Sequence, residues 1–376
     1  MILLVSQYKY PAGDAGSLRF HSIALALKQL GYRTKVIGYG EVTEKELIND
    51  SIPYLSVREK DRYKSFLKFP FKLASIIKNE IKKNNISHII AGQLPVVALL
   101  MVKKICKHNN IKLIYDVVEW YSVSQFKLKF LAPQYIENYF INTKIIDKST
   151  STISISEYLK NYFGSKGIRT VRIPIFFEQP ASLPSSSKFA KINISYAGSP
   201  GKKDFLWIVL KGMENLRDSY KKNLVFHIMG CSDSEIGALC KKFNIQFDKI
   251  KDIVKIYGRI PHDEVIKIIR KSHFTILLRD AKKRYSKAGF PSKVIESISN
   301  GIPPIMNLSS DLGLYFKDNE NFIEVKDFSV VQLQNAIEKA LDLSAAHYEG
   351  MAQNTFALAI QEFSISANLE KVSGLL

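Results

Sequence analysis

The first forty residues restrict the possible folds more than any other stretch of the chain. Ile2–Ser6 is a short apolar run, and Tyr10–Gly16 is rich in glycine and carries a proline. Apolar residues then recur at helical spacing over Phe20–Leu30, and Thr34–Ile37 begins another apolar run. A strand, a glycine loop, a helix and a second strand in so short a segment are typical of the opening of a doubly wound α/β sheet.

The alternation of strands and helices continues to Pro174 and then restarts. It predicts a mainly parallel sheet that helices cover on both faces. Glu178–Lys188 interrupts it with two prolines and four serines, a composition typical of a linker. Beyond the linker, Ile192–Ala197 opens a second series of strands and helices. This series includes a polar, basic loop after Leu278 and ends in two predicted C-terminal helices.

The sequence therefore predicts an α/β protein of two Rossmann-like, doubly wound domains that face a central cleft. The first domain comprises residues 1–177 and is joined by the returning C-terminal helix, 360–376. Residues 178–190 form the linker, and residues 191–359 form the second domain. Open α/β sheets bind ligands outside the carboxyl ends of their strands, so we expect the binding site in the cleft.

The composition is that of an ordinary globular protein, with 46% hydrophobic and 24% charged residues among 376. Three cysteines, Cys106, Cys231 and Cys240, are widely spaced and form no CxxC pair. This pattern argues against a disulfide framework or a zinc site and fits a reducing compartment. The chain shows neither a signal-peptide pattern nor an apolar run long enough to span a membrane, so we expect a cytoplasmic protein.

The formal charge of +19 is concentrated in the first half, where residues 1–180 hold 27 Lys and Arg against 14 Asp and Glu. Such a surface favours phosphates, anionic lipid headgroups or nucleic acid, although a lysine-rich coding bias explains it equally well. No nucleic-acid recognition module is evident. Lys60–Lys83 alternates basic and apolar residues and could lie on an anionic membrane together with Lys127–Phe130. The alternative is a surface helix whose apolar face packs on the sheet.

The segment Leu278–Ile305 carries the most specific chemistry. Gly289 begins a short loop before a helix that opens near Ser292, a candidate N-cap. The first-turn amides and the helix dipole favour an anion there, and Lys293 adds positive charge. Glu296 lies one turn further along, where a carboxylate can accept two hydroxyls of a ribose. An ordinary crossover helix with a glutamate on its wet face is an equally good physical reading.

This segment resembles the donor-binding region of retaining glycosyltransferases of the GT-B fold, family 4, in particular a polysaccharide-biosynthesis branch with a GFPSK-type loop. The resemblance implies that Glu296 binds the ribose of the nucleotide. It also implies that Gly289 and Phe290 form the glycine-bearing loop and that the amides of Ser292–Val294 meet the diphosphate. A first glutamate of the family, which contacts the donor sugar, falls at Ala288, so recognition of that sugar departs from the family pattern.

The resemblance covers the whole chain. Gly16 matches an N-terminal glycine loop near the donor phosphates. Gly198 and Lys203, with Lys202 as the alternative, match a Gly-x-x-x-x-Lys segment whose basic residue contacts the diphosphate. Arg259 matches a segment that passes the nucleotide base. A tight turn, a solvated lysine pair and a strand-to-helix turn are the respective structural alternatives.

The candidates for chemistry on the acceptor and the leaving group are few. The family often places a histidine after the fourth strand, where this chain offers Asp116 and Glu119 instead. Either could orient the acceptor hydroxyl or take its proton, and structural roles are as well supported. Arg279 could clamp the diphosphate or replace the sugar contact missing at Ala288. Neither a DxD motif nor a metal-ligand spacing occurs, so we expect no metal and no cofactor, with cationic groups neutralising the diphosphate.

The resemblance implies retaining, metal-independent transfer of a hexosyl or related sugar from a UDP- or GDP-linked donor. The acceptor that it implies is a hydroxyl of a lipid-linked glycan in cell-surface polysaccharide biosynthesis, such as that of capsule or lipopolysaccharide. The enzyme would be cytoplasmic, either free or peripheral on the inner face of the membrane. The alternatives are a catalytically silent sugar-nucleotide binder, a sugar-nucleotide epimerase of the same fold, and a nucleic-acid binder.

Overall fold

The computed structural model describes residues 1–11, 15–40, 46–57, 62–178, 191–198 and 203–376, with the backbone alone for 62–67. The chain divides into two compact units. The first unit comprises residues 1–178, 288–290 and 363–376, and the second comprises the described residues of 179–287 and 291–362. The predicted divisions at residues 177 and 359 fall beside these boundaries. Of the predicted linker, only Glu178 lies within the described residues.

The first unit contains an eight-stranded sheet. Its strands are β1 Ile2–Ser6, β2 Thr34–Gly38, β3 Leu47–Asn49, β4 Ile52–Ser56, β5 His88–Gly92, β6 Lys112–Val117, β7 Thr150–Ser154 and β8 Thr170–Arg172. The spatial order is β3-β4-β2-β1-β5-β6-β7-β8, and all neighbours are parallel except the antiparallel pair β3 and β4. Strands β3 and β4 were not predicted from the sequence: β3 is short and largely exposed, and β4 follows it directly without the intervening helix of the βαβ pattern.

The described residues before Glu178 form five α-helices: α1 Ala15–Gln29, α2 Arg62–Lys83, α3 Val96–His108, α4 Pro133–Phe140 and α5 Glu157–Ser165. Helix α2 buries Phe69, Leu73 and Ile77 and leaves Phe71 exposed. The described part of the basic segment Lys60–Lys83 therefore packs one apolar face inward, as the structural alternative expects. Lys60 and Asp61 lie outside the described residues.

The second unit contains a six-stranded, parallel sheet in the order β11-β10-β9-β12-β13-β14. Its strands are β9 Ile192–Ala197, β10 Leu224–Met229, β11 Val254–Ile256, β12 Phe274–Leu277, β13 Pro304–Met306 and β14 Ile323–Glu324. The two sheets confirm the predicted pair of parallel α/β domains. Among the described helices, none is both long enough and apolar enough to cross a membrane.

The remaining helices are α6 Leu206–Asn215, α7 Asp218–Lys221, α8 Asp233–Phe243, α9 His262–Arg270, α10 Arg284–Ala288, α11 Ser292–Ser299, α12 Val330–Leu341, α13 Ala345–Phe363 and α14 Ile365–Ser373. Two details of the sequence analysis were wrong. The basic loop after Leu278 contains the short helix α10, and three helices rather than two end the chain. Ser364 caps α14 by accepting a hydrogen bond from the Ala367 amide, which separates α14 from α13.

The C-terminal helix α14 belongs to the first unit. The amide of Phe177 donates to the Phe363 carbonyl at 2.9 Å, and the amide of Ile365 donates back to the Phe177 carbonyl at 3.0 Å. Val372 and Leu375 are buried in the same apolar core as α1 and β1. Apolar burial and this short backbone pairing together hold the end of the chain against its beginning.

A buried ion pair joins α1 to the carboxyl end of β6. The Arg19 Nε and Nη2 atoms each lie 2.9 Å from a carboxylate oxygen of Asp116, and both side chains are almost completely buried. Arg19 also donates to the carbonyls of Ile173 and Pro174 at 3.0 and 2.7 Å. The bidentate pairing satisfies the buried carboxylate. Asp116, a predicted candidate for acceptor chemistry, is thus occupied by Arg19, which indicates a structural role.

We expect Asp116→Asn to lower the free energy of unfolding by about 3–5 kcal/mol, because it leaves the Arg19 guanidinium buried without its counter-charge. Asp147→Asn is the matched control, since Asp147 pairs with Lys103 at 2.6 Å but is half exposed. The control should change stability by less than about 1 kcal/mol. Urea unfolding at pH 7 measures both, and equal stabilities of the two variants would contradict a structural role for the buried pair.

Candidate functional site

The candidate site of the second unit is built where β9 and β10 end and α11 begins. The chain turns at Gly198 after β9 and at Gly230 after β10, and the Gly198 amide donates to the Met229 carbonyl at 2.9 Å. Gly230 has a φ of +90°, and a Cβ there would lie 2.8 Å from the Gly198 carbonyl oxygen. Only glycine fits this conformation and this close approach. The two turns therefore pack backbone against backbone at the carboxyl edge of the sheet.

A buried carboxylate, Asp204, gathers two cations at this edge. Lys293, from the first turn of α11, contacts Asp204 Oδ2, and Arg279 Nε lies 3.3 Å from Asp204 Oδ1. Asp204 is 8% exposed, whereas Arg279 and Lys293 are 14% and 26% exposed. We call Tyr196, Asp204, Arg279 and Lys293 the Asp204 cluster. One carboxylate and two cations give it a net charge of +1.

Tyr196 and Gly198 shape the place that Lys293 occupies. The Lys293 ammonium lies 4.7 Å from the centre of the Tyr196 ring and 3.5 Å from its hydroxyl oxygen, a cation–π arrangement. The Tyr196 hydroxyl donates to Asp204 Oδ2 at 3.3 Å. A Cβ at Gly198 would collide with the Lys293 Nζ atom. The predicted site residues Gly198 and Lys293 are thus brought together, with the glycine leaving room for the ammonium.

The protonation states of the cluster follow from its charges. Burial by itself raises the pKa of the Asp204 carboxyl, but Lys293 and Arg279 outweigh that effect and hold the pKa below its ordinary value. Burial, followed by the charge of Asp204, raises the pKa of the Tyr196 hydroxyl. Asp204 is therefore ionised and Tyr196 neutral near pH 7. The excess positive charge stands at the N-terminus of α11, where the helix dipole also favours an anion.

Helix α11 begins one residue earlier than an N-cap at Ser292 would require. Ser292 is already helical, and the N-cap is Pro291, whose side chain offers no hydrogen bond. The prediction that Ser292 caps the helix was therefore wrong, because the extended residue before the first turn is Pro291, with a ψ of 102°, and Ser292 itself is helical. The Val294 amide donates to the Pro291 carbonyl at 3.1 Å.

Glu296 has a partner that the sequence analysis missed. The Nε2 atom of His262, the first residue of α9, lies 2.5 Å from Glu296 Oε1. His262 is 61% exposed and Glu296 24% exposed. The hydrogen bond to Glu296 raises the pKa of His262, against the lowering effect of burial. The only signal for His262 in the sequence was its position, because it directly follows Pro261, the last residue of the segment matched to the nucleotide base.

Two of the predicted basic residues, Arg259 and Lys203, are not members of the Asp204 cluster. Arg259 is 75% exposed and pairs with Glu235 Oε1 at 3.5 Å, beside the capping box that Ser232 and Glu235 form at the start of α8. Lys203 is half buried immediately before Asp204. Lys202 lies outside the described residues. The Asp204 cluster thus brings together Arg279 and Lys293, and Asp204 and Tyr196 are the members that sequence reasoning missed.

The loop residues before α11 are counted with the first unit. Gly289 and Phe290 are buried, and the Phe290 ring centre lies 5.9 Å from that of Phe363. Ala288 is completely buried, and its carbonyl accepts a 2.8 Å hydrogen bond from the Ser156 hydroxyl. A glutamate at this position would begin in a fully buried place and would have to displace its neighbours or lose its hydration, which costs free energy. Burial gives a physical reason for an alanine at the position of the expected first glutamate.

The other predicted residues of the first unit have clear local contacts. A Cβ on Gly16, in the first turn of α1, would collide with the Tyr8 ring, so packing alone requires a glycine there. Glu119 is half buried just beyond β6, and its carbonyl accepts from the Asn138 and Asn142 side chains at 3.2 and 3.4 Å. Gly16 and Glu119 stay predictions as functional residues. Within the described ranges, no group of three or more His, Cys, Asp and Glu could hold a metal ion.

We expect Asp204→Asn to reduce the free energy of unfolding of the second unit on the order of 3 kcal/mol at pH 7, because Lys293 and Arg279 lose their counter-charge. The folded-state pKa of Asp204 is lowered, so its contribution is present above about pH 4 and is lost as the pH falls. Urea unfolding at pH 7 and pH 3.5 measures the difference between native chain and variant. That difference should shrink at the lower pH, and a constant difference would contradict the ionised cluster.

We expect the effect of His262→Gln on stability to shrink as the pH rises, whereas that of Asp204→Asn shrinks as the pH falls. The raised pKa of His262 means that the ion pair with Glu296 stabilises fully below about pH 6.5 and is lost as the pH rises through the raised value. The variant should melt below the native chain at pH 6 and together with it at pH 9. His347→Gln is the control, because the ring of exposed His347 contacts the uncharged carbonyl of Asn319 rather than a carboxylate. A pH-independent difference for His262→Gln would contradict the pairing.

Comparisons with known proteins agree with this architecture. Residues 194–357, which include the Asp204 cluster and Glu296, match the family model for glycosyl transferases group 1. A search of curated protein sequences gives no match. Sucrose-phosphate synthase from Thermosynechococcus elongatus superposes with a TM-score of 0.76 at 16% identity, over 100% of this chain and 97% of that one.

Two further solved structures cover nearly all of both chains. WaaG, a glycosyltransferase involved in lipopolysaccharide biosynthesis, has a TM-score of 0.69 at 13% identity, over 100% of this chain and 99% of its own. HepE from Anabaena, in complex with UDP and glucose, has a TM-score of 0.70 at 14% identity, over 99% and 98%. At these identities the superpositions establish the fold. The chain therefore has the GT-B fold and carries a glycosyl transferases group 1 domain in its second unit.

Proposed function

We propose that the chain is a glycosyltransferase of family 4 that moves a sugar, with retention, from a nucleoside-diphosphate sugar to a hydroxyl. The observation that carries this proposal is the Asp204 cluster at the N-terminus of α11, with Glu296 one turn further along the same helix. Cations at a helix N-terminus suit a diphosphate, and a carboxylate one turn away suits the ribose. The matched family model supports the same reading.

The proposed chemistry depends on neutralising the leaving diphosphate. Negative charge grows on it as the bond to the sugar breaks, so positively charged groups held beside it lower the barrier. Lys293 and Arg279 are held by Asp204 before any ligand arrives, which limits their reorganisation. Lys203, immediately before Asp204, is the proposed third cation. Because side chains and a helix terminus supply this charge, the proposed transfer does not depend on a metal ion.

The nucleotide and the acceptor follow from neighbouring features. Glu296 is 24% exposed and would accept the ribose hydroxyls, with Arg259 beside the base. Structures of HepE contain UDP and UDP-glucose, which favours UDP over GDP as the first nucleotide to test. The lipopolysaccharide role of WaaG favours a lipid-linked glycan acceptor in cell-surface polysaccharide assembly. Glu119 is the proposed residue for orienting the acceptor hydroxyl, which attacks the face from which the diphosphate leaves.

A catalytically silent sugar-nucleotide binder is the second candidate. The buried alanine at position 288 favours it, because the family's first glutamate, which contacts the donor sugar, is absent there. Binding and turnover separate the two candidates. Nucleotide release that requires an added glycan acceptor supports the transferase. Tight nucleotide binding without release on any acceptor, across a panel of lipid-linked glycans, supports the silent binder.

We expect one nucleotide sugar among UDP-, GDP-, ADP- and CMP-linked donors to raise the melting temperature of the native chain. At about one hundred times its Kd, such a ligand adds about 2.7 kcal/mol of stability. Glu296→Ala should abolish the shift. Glu320→Ala, which removes an exposed carboxylate of the second unit paired with Lys317, should preserve it. A shift of full size in Glu296→Ala would refute the proposed ribose contact, and no shift with any donor would refute the proposed function.

A further inference from the structure

Large apolar side chains are concentrated on the exposed surface of one short segment of the first unit. Six of them lie between residues 128 and 140 and are 45–76% exposed: Leu128, Phe130, Leu131, Ile136, Tyr139 and Phe140. The segment consists of two single-turn helices, Val123–Gln125 and Lys129–Leu131, followed by α4. Isolated exposed apolar residues are ordinary, but a contiguous group of this kind marks an interaction surface.

Helix α4 is oriented with its polar residues inward. Glu137 Oε1 accepts a 2.8 Å hydrogen bond from the Val96 amide, and Asn138 Oδ1 accepts one of 3.0 Å from the Tyr121 amide. Ile136, Tyr139 and Phe140, spaced three and four residues apart, face outward instead. Two internal hydrogen bonds therefore fix the helix in the orientation that exposes its apolar face. Incomplete packing alone would not produce this arrangement.

The surface is preformed and extends onto α3. The Tyr135 ring is stacked on Tyr139 with centres 6.1 Å apart, and it also contacts Phe130 edge-on at 6.1 Å. The contact between Glu137 and the Val96 amide places the start of α3 beside α4, where Val97 and Leu100 are about half exposed. We call residues 127–140 with Val97 and Leu100 the α4 surface.

The charges around the α4 surface indicate which partner it fits. Lys127 and Lys129 are exposed on the segment and Lys144 is exposed four residues beyond it, whereas the one carboxylate of the segment, Glu137, is turned inward to the Val96 amide. Apolar and aromatic side chains bordered by lysines, without exposed carboxylates on the segment, suit the interface of an anionic bilayer. The aromatic rings enter the headgroup boundary while the lysine ammonium groups meet lipid phosphates.

We infer that the α4 surface docks the first unit onto an anionic membrane. The surface that contacts the membrane is thus α4 with its preceding turns. It is not α2, because the apolar face of α2 is buried in the described part of that helix. The inference goes beyond the proposed function and holds whether or not a sugar is transferred. If the acceptor is lipid-linked, docking also brings the enzyme to the surface in which that acceptor is anchored.

The test is cosedimentation of the full chain with vesicles of equimolar phosphatidylcholine and phosphatidylglycerol, and with vesicles of phosphatidylcholine alone. The native chain should bind the anionic vesicles. Phe130→Ser/Leu131→Ser should bind them at least about tenfold more weakly, because two large apolar side chains no longer enter the interface. Lys127→Gln/Lys129→Gln should lose the preference for anionic vesicles. The control Ile48→Ser/Leu314→Ser, which removes exposed apolar residues elsewhere, should bind like the native chain.

Two measurements keep the result interpretable. All variants should keep the native melting temperature, since the changed side chains are exposed, and any shift given by a nucleotide sugar should be unaltered in them. A failure of docking is thereby distinguished from a failure of the proposed donor site. Equal vesicle binding by the Phe130→Ser/Leu131→Ser variant and the native chain would overturn the inference. So would a native dimer in sedimentation equilibrium that this variant converts to a monomer, because the surface would then be an interface between copies.

Discussion

The candidate site of the second unit depends on one buried carboxylate. Asp204 holds Lys293 and Arg279 by opposite oxygens, so two cations that would otherwise repel each other are kept at one place. The glycine at 198 leaves the space that the Lys293 ammonium fills, and the Tyr196 ring supports it. Removing the carboxylate would change both the stability of the unit and the position of its positive charge. Fold and binding chemistry therefore share a single electrostatic anchor.

Two other ion pairs in the chain also hold a charged group in place through a buried or half-buried partner. Arg19 and Asp116 lock α1 to β6 in the first unit, and His262 holds Glu296 in the second. The first pair is shielded from water, as suits a structural role. The second is partly exposed, so that its strength follows the pH. Burial therefore decides which of the two pairs responds to its surroundings.

The sequence was sufficient for the architecture because strand and helix periods are local signals. The opening βαβ unit and the two sheets were predictable in this way, whereas the return of the last helix came from the family resemblance. Strands β3 and β4 and the helix α10 were not predicted: β3 and α10 are short, and β4 does not alternate with a helix, since it directly follows β3. In the site, Lys293, Arg279 and Glu296 stood out by residue type and position. Asp204 and His262 did not, because their roles come from partners some 90 and 34 residues away in sequence.

The return of α14 to α1 has a consequence for the order in which the protein is completed during synthesis. The second unit is formed from one nearly continuous stretch that emerges before residue 363. The first unit, although its larger part is translated earlier, lacks Ile365, Val372 and Leu375 of its apolar core until those residues leave the ribosome. Its surface around α1 therefore stays open while the rest of the chain is made. A chaperone that shields this open core would act on the amino-terminal unit, and late in translation.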